Sequence, residues 1–269
     1  MECNAQNPGQ NTYRSTLGFL STSLDGLDLA LKAVMATRPW LSDPAVVPIP
    51  YRQDVVDAFT SRANPDGTPK DRPFQIGILW ADGVVEPHPP IRRGLQLLAN
   101  AVKSAGHELA DWEPPSHLIA QQIHLSFLLA DGGDDVNKHV ALSGEPIIPQ
   151  LAATFKKRDP LPLLTYQDLT IKGLDFENKY SDYWNATAVD AVIMPVAPTA
   201  AVIPGKYFHV GYTQTINLLN YSAVVVPVTV ANKAVDIIDG KYEPVSEVDR
   251  MNWEACKFLP AYLTQVSAM

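Results

Sequence analysis

Three short apolar runs constrain the fold of this chain more than any other feature of its sequence. They occupy residues 74–80, 190–196 and 223–230, and each is largely apolar at consecutive positions rather than at alternate ones. Strands of that kind are buried on both faces, as in the middle of a parallel sheet. Segments with helical periodicity lie between them, so the pattern predicts an α/β fold with a mixed, mostly parallel sheet covered by helices.

Local signals predict four helices and one further strand. A helix over 22–36 has an apolar face, and Thr22 with Asp25 forms a candidate capping box at its start. The next helix is predicted to begin at Pro89 and to stop before Gly106. The remaining elements are a strand at 107–112 and helices at 118–129 and 166–186. The sequence contains no internal repeat. We therefore expect a single domain.

Charge and cysteine usage exclude several classes of partner. The chain has 21 Lys and Arg against 29 Asp and Glu, a net charge of −8, which disfavours broad binding to nucleic acid or to anionic membranes. No apolar run approaches the roughly 18 to 20 residues of a membrane helix. Cys3 and Cys256 lie near opposite ends without metal-ligand spacing, so free thiols and a cytoplasmic location are expected.

No short motif identifies a chemistry. His117 and His124 share a helical face but have no neighbouring carboxylate in a zinc pattern, which favours structural roles. The acidic cluster at 131–135 lacks EF-hand spacing and reads as a turn at the end of a helix with solvated carboxylates. Neither a nucleophile elbow nor a glycine-rich phosphate loop is present. The sequence therefore predicts no metal and no cofactor.

Longer segments, taken in order, resemble one family. The segment at 77–90, GILWADGVVEPHPP, is similar to a strand and loop of the amidase signature family, in particular its fungal acetamidase-like branch. The likeness runs over roughly residues 9 to 255, and its ordered length makes it specific. The other matching segments are GFLSTSL at 18–24, KAV at 32–34, PWLSDP at 39–44, AGHE at 105–108, DW at 111–112, ADGG at 130–133, SGEP at 143–146, DAVIMP at 190–195, GYT at 211–213, NLL at 217–219 and VPVT at 226–229.

The resemblance implies amide hydrolysis by a Ser-Ser-Lys arrangement. In the family a serine attacks the carbonyl, a second serine relays the proton and a lysine acts as base, beside backbone N–H groups that stabilise the oxyanion. That machinery lies in a glycine- and serine-rich stretch for which this sequence has no counterpart. Ser21 and Ser23 belong to a segment with its own place in the family. No catalytic residue is therefore assigned, and residues 1–269 are interpreted as a single partial amidase-signature domain, its C-terminal half.

The portion that is present is expected to form walls of a substrate channel for a small-molecule amide. By resemblance, the candidate substrate-binding residues are Trp40, Tyr212, Gln214 and Asn217. For two of them another role is open: Trp40 can anchor its loop, and Asn217 can hydrogen-bond backbone.

Three interpretations of function remain. The first is an amidase-family protein that is inactive alone because its catalytic segment is missing. The second is a working amidase whose N-terminal half comes from a second chain or an upstream exon. The third is a non-catalytic ligand-binding or scaffold protein. Because an absent segment would leave a strand without a neighbour, self-association or aggregation through an uncovered sheet edge is also expected.

Overall fold

The structure is a computed structural model that describes residue 12, residues 16–237 and residues 239–257. It divides into two compact units, the first ending at Arg72 and the second beginning at Pro73. Cys3 and the side chain of Cys256 lie outside the described residues, so the expectation of free thiols stays a prediction. The interpretation as a single domain likewise stays a prediction.

The first unit contains two α-helices and a short 3-10 helix in its described part. Helix α1 (Leu24–Ala36) begins where the Ser23 hydroxyl accepts a hydrogen bond from the N–H of Gly26, at 3.1 Å. Ser23 is therefore the N-cap, one residue later than the predicted Thr22. The 3-10 helix covers Pro39–Leu41 and α2 covers Gln53–Thr60. No residue of α1 or α2 is buried.

The second unit is built on a parallel three-stranded sheet. Strands β1 (Gln75–Ile78), β2 (Glu108–Asp111) and β3 (Ala191–Ile193) are ordered β2-β1-β3, and both pairs are parallel. In this register Gln75 lies opposite Glu108, and Ile78 lies opposite Ile193. The α/β class with a parallel sheet surrounded by helices is confirmed.

Seven helices accompany the sheet in the described part of this unit. Helix α3 packs Leu95 and Ala99 against Ile78 of β1, and these side chains form a cluster of the hydrophobic core. A second apolar region forms around Trp112, whose ring contacts Tyr180, Tyr183 and Trp184 of the long helix α7. The helices are α3 (Pro89–Ser104), α4 (His117–Leu128), α5 (Asp134–Ser143), α6 (Pro149–Thr154), α7 (Leu163–Thr187), α8 (Gly211–Leu219) and α9 (Glu247–Lys257).

Two local expectations differ from the structure. Residues 221–229 form no strand, although 223–230 was predicted to be one, because no neighbouring strand pairs with them in the described chain. The acidic cluster starts in the turn that follows α4, as expected, but it also begins the next helix. The Asp131 carboxylate accepts hydrogen bonds from the N–H groups of Gly133 and Asp135, both at 2.8 Å, and α5 starts immediately after it.

Candidate functional site

A tight loop after β1, residues 82–88, organises the part of the second unit that holds the candidate site. The Asp82 carboxylate accepts hydrogen bonds from the N–H groups of Val84 and Val85, each at 2.9 Å. Gly83 between them has a φ of 76°, which a side chain with a Cβ adopts only with strain. One carboxylate oxygen thus stabilises the turn that follows Asp82. The second oxygen can accept a hydrogen bond from a residue that is distant in sequence.

That partner is His209, which precedes α8. Its Nε2 lies 2.6 Å from Asp82 Oδ2, and both side chains are almost completely buried. The Gln121 side-chain amide of α4 approaches the same oxygen at 3.4 Å. Burial alone would raise the pKa of Asp82, but the hydrogen bonds from His209 and the loop N–H groups outweigh it and hold the pKa below its ordinary value. Asp82 is therefore a buried carboxylate stabilised by donors on three segments.

Tyr212, in the first turn of α8, is hydrogen-bonded to the same loop. Its hydroxyl donates to the Val85 carbonyl at 2.6 Å and accepts from the N–H of Asp82 at 3.3 Å. The side chain is 1% exposed, and burial raises the pKa of its hydroxyl. The first turn of α8 therefore has a fixed position relative to β1.

Helix α9 contacts the loop from another side. The Ser246 hydroxyl donates to the Val84 carbonyl at 2.7 Å, and the Asp249 carboxylate accepts from the N–H of Glu86 at 3.1 Å. Ser246 also caps the helix by accepting from the N–H of Asp249 at 3.0 Å. His88 packs its ring edge on Trp253 with the centroids 5.4 Å apart, and burial lowers its pKa to about 4. His88 is therefore neutral at pH 7.

The structure separates the four candidate substrate-binding residues into different environments. Tyr212 is closed to solvent and holds the loop. Gln214 is half-buried and Asn217 is exposed, and their spacing of three places them on one face of α8. Trp40 is half-buried in the 3-10 helix of the first unit. Their role in binding a substrate stays a prediction.

Sequence reasoning missed the residues that hold α8 in place. Asp82 and His209 are 127 residues apart in the chain, and no local pattern links them. The capping pair at 246 and 249 carried a usable signal, since Ser-x-x-Asp before a helix is a capping box. The Asp-Gly sequence at 82–83 was a usable turn signal.

The chemistry available within the described residues is limited. Among the side chains of residues 16–237 and 239–255, no serine hydroxyl is hydrogen-bonded to a lysine amine, and no three His, Cys, Asp or Glu side chains converge on a point that could hold a metal. Burial lowers the pKa values of His88, His117 and His124. None of the helices in this part of the chain is long and apolar enough to cross a membrane.

Comparison with known proteins identifies the class to which this arrangement belongs. Residues 4–245 match the Amidase family, and the chain is a member of it. It is 34% identical over 249 residues to an acetamidase of Aspergillus oryzae, a match that covers 90% of this chain and 45% of that relative. An acetamidase of Emericella nidulans is 33% identical over 250 residues, with 90% and 44% covered.

A solved structure shares the fold. A fatty acid amide hydrolase superposes with a TM-score of 0.80 at 22% identity, over 92% of this chain and 43% of that one. The chain therefore spans somewhat less than half the length of the proteins it matches. This coverage fits the C-terminal portion that the resemblance indicated. The identity to the two fungal acetamidases confirms the acetamidase-like branch.

Proposed function

We propose that this chain forms one portion of an enzyme that hydrolyses carboxylic amides to an acid and ammonia or an amine, and that it is inactive alone. Its membership of the Amidase family and its acetamidase relatives support the reaction. The match to about 45% of the Aspergillus oryzae relative supports the need for a second portion. In this proposal the second portion supplies the nucleophile, the proton relay and the base.

One observation carries the proposal of inactivity: the 269 residues contain no Gly-Gly-Ser-Ser-Gly-Gly-like segment. A serine needs an adjacent base to attack an amide, and a lysine acts as that base only when its pKa is lowered. Lys32 and Lys138 instead lie beside Asp28 and Asp134, which raise their pKa values. Without nucleophile and base, the loss of rate amounts to several orders of magnitude.

The proposed contribution of this chain to catalysis is the substrate-facing side of α8. Asn217 and Gln214 present side-chain amides that can pair with both the carbonyl and the N–H groups of an amide substrate. Neither side chain is hydrogen-bonded within the described structure. Tyr212 is proposed to act through the position of the helix.

The test compares the purified chain with the same chain co-expressed with the part of the Aspergillus oryzae acetamidase outside the matched 249 residues. Ammonia release from acetamide and benzamide is the readout. We expect no turnover above a heat-treated control for the chain alone, and turnover for the pair. Turnover by the chain alone would overturn the proposal.

Variants of the reconstituted pair test the role of α8. Asn217→Ala and Gln214→Ala are expected to raise KM, because each removes hydrogen bonds to the substrate. Thr213→Ala is the matched control, since Thr213 is exposed on the same helix and its hydroxyl bonds to the Val210 carbonyl at 3.2 Å. Equal KM values for all three variants would remove Asn217 and Gln214 from the site. Binding of an amide without turnover by the pair would favour a non-catalytic ligand-binding protein.

We also propose that the protein works in the cytoplasm. Its two cysteines, far apart in sequence and without a metal or redox spacing, support a reducing compartment. Fractionation of cells that express a tagged chain should find it with cytosolic markers, and thiol titration of denatured, unreduced protein should find both thiols. Recovery in a secreted or organellar fraction would contradict this location.

A further inference from the structure

A groove runs between α4 and α7 in the second unit. Its volume is about 400 Å³, which is within the range of small-molecule sites. The two helices run in opposite directions, since Phe127 contacts Tyr166 near one end and His117 contacts Tyr180 near the other, with ring centroids 5.7 and 6.0 Å apart. Among the described residues that line the groove, none belongs to α8 or to the loop at 82–88. The groove is therefore separate from the candidate residues on α8.

The floor of the groove is apolar. Ile123 of α4 and Phe176 of α7 line it and are 7% and 5% exposed, whereas Ile119, one turn before Ile123, is 50% exposed. Covering such a surface with an apolar group is favourable by about 25 cal/mol for each Å² removed from water. The groove therefore favours a ligand that has an apolar portion.

A positive charge without a partner lies beside this floor. Lys172, Asp175 and Lys179 line the groove, and their spacings of three and four residues put them on one face of α7. Lys179 Nζ pairs with Asp175 Oδ2 at 2.7 Å. Within the described chain, neither the Lys172 ammonium nor the side-chain amide of Gln122, which also lines the groove, forms a hydrogen bond or an ion pair. With two lysines and one aspartate, the groove has one excess positive charge, although the whole chain has a net charge of −8.

The volume of the groove favours a small molecule over a helical peptide. An α-helix is about 10 Å across and rises about 5.4 Å per turn, so a single turn occupies about 400 Å³. A peptide helix that docks in a groove uses side chains from position i to i+7, which is about two turns. The groove has room for about half of that, whereas its volume suits a ligand with one chain and one head group.

We propose that this groove is a binding site for a small anionic amphiphile, a molecule with one negatively charged head and an unbranched apolar chain. The Lys172 ammonium and the Gln122 amide hold the head, because both are donors without another partner in the described chain and both lie midway between the two ring contacts that join the helices. The apolar chain lies over Ile119, Ile123 and Phe176 and removes them from water. This site takes no part in amide hydrolysis and does not depend on the function proposed above.

The experiment titrates the full 269-residue chain with decanoate in a calorimeter, below the concentration at which decanoate forms micelles. Three other probes separate the contributions: decyltrimethylammonium has a similar chain with the opposite charge, decanol has the chain without a charge, and acetate has the head without the chain. Decanoate is expected to bind at least about tenfold more tightly than each of them, a difference of about 1.4 kcal/mol. Decyl sulfate is expected to bind as well, and the tighter of the two anions identifies the chemistry of the head.

A pair of lysine variants tests the position of the head. Lys172→Gln removes the charge and should weaken decanoate binding about tenfold, because a charge-assisted hydrogen bond is replaced by a weaker neutral one. The affinity for decanol should stay unchanged in this variant. Lys103→Gln is the matched control, since Lys103 is an exposed lysine of α3 that does not line the groove, and it should bind decanoate as the unaltered chain does.

A second pair of variants tests the position of the apolar chain. Ile119 and Leu118 are neighbours on α4 and are 50% and 45% exposed, but of the two only Ile119 lines the groove. Ile119→Ser should weaken decanoate binding at least about fivefold, because it removes apolar contact with the ligand. Leu118→Ser should change the affinity by less than about twofold. Since Lys172 and both of these side chains are exposed, every variant is expected to keep the melting temperature of the unaltered chain.

Several results would overturn the proposal. Decanoate that does not bind, or that binds no more tightly than decyltrimethylammonium or decanol, would exclude an anionic amphiphile. Equal weakening by Lys172→Gln and Lys103→Gln, or by Ile119→Ser and Leu118→Ser, would place the ligand elsewhere, for example on the exposed valines after α8. A homodimer that Ile119→Ser converts to a monomer would show that a second copy of the chain occupies the groove instead.

Discussion

Acidification should destabilise the second unit through His88. This side chain is 1% exposed, and burial lowers its pKa from 6.5 to about 4, although the nearby Asp249 carboxylate partly opposes that effect. Between these two pH values the unfolded chain binds a proton that the folded chain does not. The free energy of unfolding therefore falls as pH falls through this window.

The size of the effect follows from the fall in pKa. One pKa unit corresponds to about 1.4 kcal/mol, so a fall from 6.5 to about 4 contributes about 3 kcal/mol. That is a large part of the roughly 5 to 15 kcal/mol that stabilises a typical domain.

The assay is urea unfolding followed by tryptophan fluorescence at several pH values between 7.5 and 4.5. His88→Gln removes the titrating group, so its free energy of unfolding should fall less steeply with acidification than that of the unaltered chain. His139→Gln is the control, because its side chain is 65% exposed, and it should reproduce the original slope. Parallel pH profiles for the unaltered chain and His88→Gln would refute the assignment of a buried, neutral histidine.

Three further measurements test other parts of the structure. Tyr212→Phe leaves the buried Val85 carbonyl without its donor and should lower the free energy of unfolding by about 1 to 3 kcal/mol. The exposed Tyr207 provides the control variant Tyr207→Phe, and equal stability of the two variants would contradict the role of that bond. Gly211→Ala should destabilise by roughly 1 to 3 kcal/mol, because the added Cβ would lie 2.1 Å from Gln121 Nε2, and an unchanged melting temperature would show that the site has more room. The isolated chain should bind ANS through exposed valines such as Val224, whereas a sharp melt without ANS binding would show that this surface is covered.

Local patterns predicted the elements that depend on local interactions. The strand at 74–80 and the helix from Pro89 both appear, as β1 and α3, because apolar runs, helical periodicity and a proline at the first turn act within a few residues. The chain bend at Gly106, with a φ of 88°, has the same local origin. Membership of the Amidase family was also accessible from sequence, since it depends on an ordered set of segments.

Local sequence patterns could not predict which segments join the sheet or which buried polar side chains contact one another. Residues 223–230 have the composition of a buried strand, yet they join no sheet, because a strand exists only where another chain segment supplies its hydrogen bonds. The contact between Asp82 and His209 joins segments 127 residues apart. The sequence by itself determined where helices and strands can form and to which family the chain belongs. Only the tertiary structure decided that the Asp82 carboxylate is buried against His209 and that the apolar segment at 223–230 stays largely exposed. The reason is that both features depend on contacts between residues distant in the chain.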